Sequence, residues 1–136
     1  MMSPETLSIL RRATEVAISS GHRQVHFLDF LLALVESDST KNLFRQIGLD
    51  PEKALLTMQK HQKVVAAEVG IPLGYEPNLS SGVSELMTQV QQCSGQAGAT
   101  PELIWSLVVS EDNWRVARLL NSLNLPTDEI REHFLN

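Results

Sequence analysis

The feature that most constrains this chain is a strongly apolar stretch that occurs twice. From Gly21 to Leu34 it reads Gly-His-Arg-Gln-Val-His-Phe-Leu-Asp-Phe-Leu-Leu-Ala-Leu, and a weaker copy of its last six residues stands 73 residues later, at Glu102 to Leu107. The first copy predicts the end of one helix, a short connection that begins at Gly21, and an apolar second helix from about Phe27 to Glu36. A single folding unit used twice is therefore expected.

Helix start signals recur along the chain. A polar capping residue, a proline and a glutamate follow one another at residues 3–5, 50–52 and 100–102, and each type suits the first turn of a helix. Residues 75–77 take the place of residues 2–4 at the same shift. Helical spacing of apolar residues predicts eight helices and no convincing strand. Short helices with short connections favour an all-α fold, an eight-helix orthogonal bundle of two four-helix repeats related by a pseudo-twofold axis.

The predicted domain organisation follows from this repetition. We expect one domain over residues 1–136, with repeat one at 3–69, a hinge at 70–75 and repeat two at 76–136. The hinge contains the clearest break in the chain, Ile-Pro-Leu-Gly at residues 71–74. The doubled methionine at the start leaves open that the chain is a fragment of a longer protein.

Composition excludes several classes of protein. With 43% hydrophobic and 20% charged residues the chain is expected to be ordered. Its net charge of −5 and its scattered Lys and Arg residues disfavour nucleic-acid binding. No apolar run approaches the length of a membrane span, so no membrane partner is expected. The single cysteine, Cys93, excludes an intrachain disulfide and fits a reducing compartment. We expect a cytoplasmic location.

Residues that carry chemistry are not arranged in any recognised site. No phosphate-binding glycine loop, metal-ligand spacing or catalytic pair of carboxylates is present, so no catalytic residue, cofactor or metal is expected. Cys93 lacks a local base and is expected to be semi-buried and inert. Trp105 is expected in the core, whereas Trp114 fits core and binding surface equally well. The histidines fall in separate predicted elements: His22, His26, His61 and His133.

The ordered pattern of both copies resembles the amino-terminal repeat of Clp ATPases, over nearly the whole chain. The resemblance implies a non-enzymatic recognition domain that sits on a hexameric unfolding motor and receives adaptor proteins or substrate segments. The residues that carry it are Ser3-Pro4, Leu10, Ala13, Ala17, Gly21-His22, Val25, Leu31-Leu32-Ala33-Leu34, Gly48-Leu49 and Asp50-Pro51-Glu52.

The sequence departs from this family at one informative place. The family usually has Glu-His just before its Leu-Leu run, whereas Leu28-Asp29 and Pro101-Glu102 stand there in this chain. Some members bind phosphorylated arginine through that Glu and a Thr at the first helix start. The corresponding pairs here are Ser3 with Leu28 and Glu76 with Pro101, so phosphoarginine recognition is not expected.

Two functions are consistent with this sequence. The first is a non-catalytic domain of a Clp-type AAA+ unfoldase that binds adaptor proteins or substrate segments. The alternative is a free-standing accessory or regulatory subunit that docks on a Clp protease or motor. The candidate contact residues come from loop positions, and an equally weighted alternative is that they only cap helices. They are Ser3, Val25, His26, Phe27, Leu28, Glu76, Ala99, Thr100, Pro101 and Glu102.

Overall fold

The computed structural model describes residues 3–64, 71, 74–93, 100–110, 118, 120–121, 125 and 127–135. Within them the chain forms seven helices and two very short strands. The first half of the chain contains α1 (Pro4–Ser20), β1 (Gln24–Val25), α2 (Phe27–Glu36), α3 (Asp38–Gln46) and α4 (Pro51–Val64). The second half contains β2 (Asn78–Leu79), α5 (Ser81–Cys93), α6 (Pro101–Ser110) and α7 (Thr127–Leu135).

Local sequence explains both ends of α1. The Ser3 side chain accepts a hydrogen bond from the Thr6 backbone N–H at 3.1 Å, which satisfies one of the free amides of the first turn. At the other end Gly21 adopts the left-handed conformation, with φ of 73°, and its N–H reaches the carbonyl of Ile18. Glycine takes this conformation without the penalty that a Cβ would bring. The predicted bounds of this helix are confirmed.

Helix α2 is the centre of the core. Seven consecutive residues, from Asp29 to Val35, are buried, as expected for a helix covered on all sides. Ser37 ends this helix and also caps α3, where its Oγ accepts from the Thr40 N–H at 3.4 Å. Because one residue performs both roles, the chain turns sharply and α3 starts close to the end of α2.

Both halves of the chain contribute to one apolar core. Trp105 is 1% exposed, which confirms its predicted core position, while Trp114 lies outside the described residues. Cys93 is exposed rather than semi-buried, because it is the last residue of α5 and lies beyond the buried face of that helix. The largest fully buried side chains are Trp105, Phe30, Phe44, Leu31, Leu34, Met58, Ile104, Leu120, Ile130, Val25 and Val35.

The two strands were not predicted from the sequence. Gln24 pairs with Asn78 and Val25 with Leu79 in a parallel ladder, and the Ser80 N–H donates to the Val25 carbonyl at 3.0 Å. Two-residue strands are too short to show the alternation by which strands are recognised. Residues 78–79 are extended, and α5 begins only at Ser81. The start signal at residues 75–77 is therefore not a helix start.

These observations confirm the all-α class. The predicted helix between α6 and α7 falls mainly outside the described residues, although residues 118, 120 and 121 are helical. The count of eight helices, the pseudo-twofold axis and the division into 3–69, 70–75 and 76–136 stay predictions.

Candidate functional site

Two adjacent grooves flank helix α3 in the described part of the chain. The first groove, of about 400 Å³, lies between α1, the end of α2 and the start of α3. The second groove, of about 240 Å³, lies between α3, α6 and α7. Ser39 and Asn42 line both, so α3 forms the ridge between them. The first groove is lined by Glu5, Ser8, Ile9, Arg12, Ala33, Glu36, Ser37, Asp38, Ser39 and Asn42. The second is lined by Ser39, Asn42, Leu43, Gln46, Glu102, Trp105 and His133.

Hydrogen bonds between α1 and α3 hold the first groove in shape. The Glu5 carboxylate accepts from the Ser39 backbone N–H at 3.2 Å and from the Ser39 hydroxyl at 2.8 Å. These bonds satisfy an amide in the first turn of α3, where negative charge is also favoured by the helix dipole. The start of α1 is thereby fixed against the ridge.

A second set of contacts fixes α3 against α6. The Trp105 indole N–H donates to the Thr40 hydroxyl at 2.7 Å, and the Trp105 ring lies 5.6 Å from the Phe44 ring. A buried indole N–H usually finds such an acceptor, because leaving it unpaired is costly. Helix α3 is therefore fixed to α1 on one side and to α6 on the other. These side-chain contacts were not predicted from the sequence.

The grooves combine an apolar floor with a polar rim. In the first groove Ile9 and Ala33 are buried beneath exposed polar residues such as Ser8 and Asn42. In the second groove Leu43 and Trp105 lie at the floor. Apolar floors with a few polar groups at the edge are typical of sites that bind other molecules.

Carboxylates dominate the charge along these grooves. Arg12 is the cation among the described residues of the first groove, but its Nε donates to Glu36 at 2.8 Å. This hydrogen bond to Glu36 raises the pKa of Arg12 above its usual range, so the guanidinium is charged and already paired. Asp38 at the edge of the first groove and Glu102 in the second are exposed. Neither forms an ion pair with a described residue, and the rim is consequently acidic.

The predicted contact residues do not form one patch. Ser3 caps α1, and Thr100 caps α6 by accepting from the Leu103 N–H at 3.3 Å. Val25 and Pro101 are buried, so their side chains face the interior. Glu102 is exposed and lines the second groove.

The remaining predicted residues lie around the two strands. His26, Phe27 and Leu28 are half-buried and directly follow β1, and exposed Glu76 lies two residues before β2. The strand pairing thus brings the connection between α1 and α2, residues 21–26, which we call the first loop, close to the segment that contains Glu76. Ala99 lies outside the described residues.

A buried polar cluster close to the first loop was also missed. Asp29 is fully buried and accepts from the His26 N–H at 3.0 Å, from the Gln62 side chain and from His22 Nδ1 at 2.9 Å. A carboxylate can only accept, so Nδ1 of His22 carries the proton. Within the described chain Nε2 of His22 and Oε1 of Gln62 have no hydrogen-bond partner. The cluster ties α1, α2 and α4 together. The position of Asp29, seven residues after His22 across a loop, was the available signal.

The ridge residues had a weak signal in the sequence. Ser39, Asn42 and Gln46 recur at helical spacing, on the side of α3 opposite buried Phe44. Such a polar face is normal for any surface helix, so only the neighbouring helices identify it as the edge of a groove.

No group of three or more potential metal ligands occurs among the residues that the structure describes. Over the same residues, no helix combines the length and apolar character needed to cross a membrane.

Comparisons with known proteins agree on the architecture. The chain superposes with the Hsp104 N-terminal domain from Candida albicans at a TM-score of 0.76 and 17% identity, over 96% of this chain and 87% of that one. The N-domain of ClpV from Vibrio cholerae gives a TM-score of 0.71 and 15% identity, over 98% and 82%. A chain from a structural investigation of a malarial protein secretion system gives 0.75 and 18%, over 96% and 90%. At these identities the likeness concerns the fold alone.

Sequence comparison supplies the family. A search of curated proteins finds no match to this chain. The family model described as the Clp repeat (R) N-terminal domain matches residues 1–123, which is most of the sequence. The chain therefore belongs to the Clp repeat N-terminal domain family.

Proposed function

We propose that this chain is a non-catalytic interaction domain of a Clp-type AAA+ unfoldase and that it binds adaptor proteins or segments of substrate polypeptides. The observation that carries the proposal is the first groove, in a member of the Clp repeat N-terminal domain family. Its volume of about 400 Å³ is large enough for several side chains of a bound segment.

The groove is already formed before a partner binds, and this favours binding. Glu5 and Ser39 fix one wall, and Arg12 with Glu36 fixes the other. A groove whose walls are already ordered loses little conformational entropy when it is occupied, and this favours affinity. The partner supplies the apolar side chains that cover Ile9 and Ala33.

The candidate contact residues inferred from loop positions are part of this proposal. Glu102 lines the second groove, and His26, Phe27, Leu28 and Glu76 offer accessible atoms next to the two strands. Ser3, Val25, Ala99, Thr100 and Pro101 complete that proposed set, with Ser3 and Thr100 also serving as helix caps.

A binding experiment with a blocked groove tests the function. The purified chain is labelled at its exposed cysteine, Cys93, and is applied to an array of peptides that cover an unfolded model protein. Asn42→Trp places an indole at the ridge where the two grooves meet. We expect it to weaken binding by about tenfold or more, equivalent to about 1.4 kcal/mol.

Gln59→Trp is the matched control. Gln59 is exposed on α4 and does not line either groove as described, so this variant should bind like the original chain. Both variants should unfold at the same denaturant concentration as the original. Binding to an assembled Clp motor or protease ring, without binding to any peptide, would contradict the proposal and favour the accessory-subunit alternative.

A further inference from the structure

The grooves continue beyond the ridge onto helix α7. His133 lines the second groove and also a neighbouring depression formed with Ile47, Glu129 and Glu132. Because Ser39 and Asn42 line both the first and the second groove, and His133 lines both the second groove and this depression, the three adjoin one another in a row that crosses α3 from α1 to α7. We call it the α3 path.

Apolar residues recur along the floor of the α3 path. Ile9 and Ala33 lie under its first part and Leu43 and Trp105 under its middle, while half-buried Ile47 lies at its far end. The path therefore offers contact to apolar side chains at intervals, separated by the polar residues of the ridge. This spacing suits an extended segment, whose successive side chains point to opposite sides.

Negative charge lines the α3 path throughout. Six of the described residues that line it have a carboxylate: Glu5, Glu36, Asp38, Glu102, Glu129 and Glu132. The Glu5 carboxylate accepts a hydrogen bond from Ser39, and the Glu36 carboxylate accepts one from Arg12. The other four are exposed and form no ion pair or hydrogen bond with another described side chain. The described residues that line the path do not include the two cations of α3, Lys41 and Arg45. An acidic partner or a phosphate backbone would be repelled here, while Lys and Arg side chains would find open carboxylates.

We infer that the α3 path binds an extended, basic segment of a partner protein, in which Lys or Arg side chains alternate with apolar ones. This inference rests on the proposed function and names the class of segment that the domain takes. Crossing α3, about 10 Å across with its side chains, takes about three or four extended residues, and further residues occupy each groove. The cations meet Asp38, Glu102, Glu129 and Glu132, while the apolar side chains meet the floor.

Three synthetic peptides test the inference. Each alternates leucine with one polar residue, which is lysine in the first peptide, glutamine in the second and glutamate in the third. Binding is measured by fluorescence anisotropy of labelled peptide with the purified chain. We expect the lysine peptide to bind about tenfold more tightly than the glutamine peptide and the glutamate peptide to bind least. Added salt should reduce the difference in affinity between the lysine and glutamine peptides, because the carboxylates of the α3 path are exposed and salt screens their charge.

Charge-neutralising variants locate the interaction. Glu102→Gln combined with Glu132→Gln removes two carboxylates from the α3 path and should weaken the lysine peptide by about fivefold. Glu52→Gln combined with Glu85→Gln removes two exposed carboxylates from α4 and α5, so it changes the net charge equally and should leave binding unchanged.

The outcomes separate the inference from the proposed function. Equal binding of all three peptides, blocked by Asn42→Trp, would overturn the inference and leave the proposed function standing. Equal weakening by the two double variants would also overturn it, because net charge alone would then explain the preference. If none of the three synthetic peptides binds while peptides of the array do, the inference is overturned and the proposed function stands. Absence of binding to any peptide, array included, would overturn both.

Discussion

Asp29 lies in the first turn of α2 with no exposed surface, and three donors from three parts of the chain converge on its carboxylate. A buried carboxylate is stable only when its oxygens are paired. Here the pairing comes from the His22 ring in the loop after α1, from the backbone of His26 and from Gln62 in α4. A single side chain thus sets how the loop after α1, which contains Val25 and His26 of the proposed contact residues, meets α2.

Asp29→Asn tests the importance of this cluster. The amide group of asparagine would face donors with its own N–H₂, so at least one buried donor would lose its acceptor. We expect the free energy of unfolding to fall by about 2–4 kcal/mol, measured by urea denaturation followed by circular dichroism. Glu85→Gln, at an exposed position, is the control and should change it by less than about 0.5 kcal/mol. An unchanged midpoint for Asp29→Asn would show that the cluster contributes nothing to stability.

At the scale of the secondary-structure elements, the sequence predicted most helices because their ends carry strong local signals. Serine and proline at the start of α1, Gly21 at its end and Asp50 before α4 act within one turn of the chain. The start of α5 was missed because residues 75–77 resemble a helix start, yet pairing of Asn78 and Leu79 with the first loop keeps this segment extended. This tertiary contact overrides the local preference for a helix start, and the nearby sequence contains no pattern that predicts the contact.

The cap at Ser3 provides a prediction for the first helix. Ser3→Ala removes the acceptor for the Thr6 N–H and should lower the free energy of unfolding by about 1 kcal/mol. Ser3→Asn keeps a side-chain oxygen at the cap and should restore most of that loss, because asparagine caps helices about as well as serine. Thermal unfolding of the three chains is the measurement. Ser19→Ala, at an exposed position near the other end of α1, controls for the effect of alanine itself. Equal stability of Ser3→Ala and the original chain would contradict the assigned cap.

At the scale of the whole molecule, the described parts of the two halves share the apolar core and are also joined by hydrogen bonds at two places. One is the β1–β2 ladder, and the other is the bond from the Trp105 indole to Thr40, which are 65 residues apart. The internal repetition indicated that two similar units are present, but repetition does not say which side chains meet between them. The α3 path depends on this meeting, since its middle part has one wall from α3 and another from α6. The grooves therefore could not be predicted from the sequence, although the helical spacing of apolar residues predicted the all-α fold. The resemblance to Clp ATPases predicted an adaptor or substrate partner, which stays a prediction.

The hydrogen bond between Trp105 and Thr40 should couple the effects of substitutions at these two positions on the free energy of unfolding. Trp105→Phe removes the indole donor and part of a fully buried ring, and Thr40→Val removes the acceptor. Each should destabilise the chain, and the double variant should cost less than the sum of the two by about 1 kcal/mol, since the shared hydrogen bond is lost only once. Urea denaturation of the four chains, with the unfolding free energies combined as a double-mutant cycle, measures this coupling. Thr40→Val with Trp105 intact leaves a buried donor unpaired, so it should be worse than the same substitution made in Trp105→Phe. If the two substitutions add without coupling, the contact between Trp105 and Thr40 contributes nothing to holding α3 against α6.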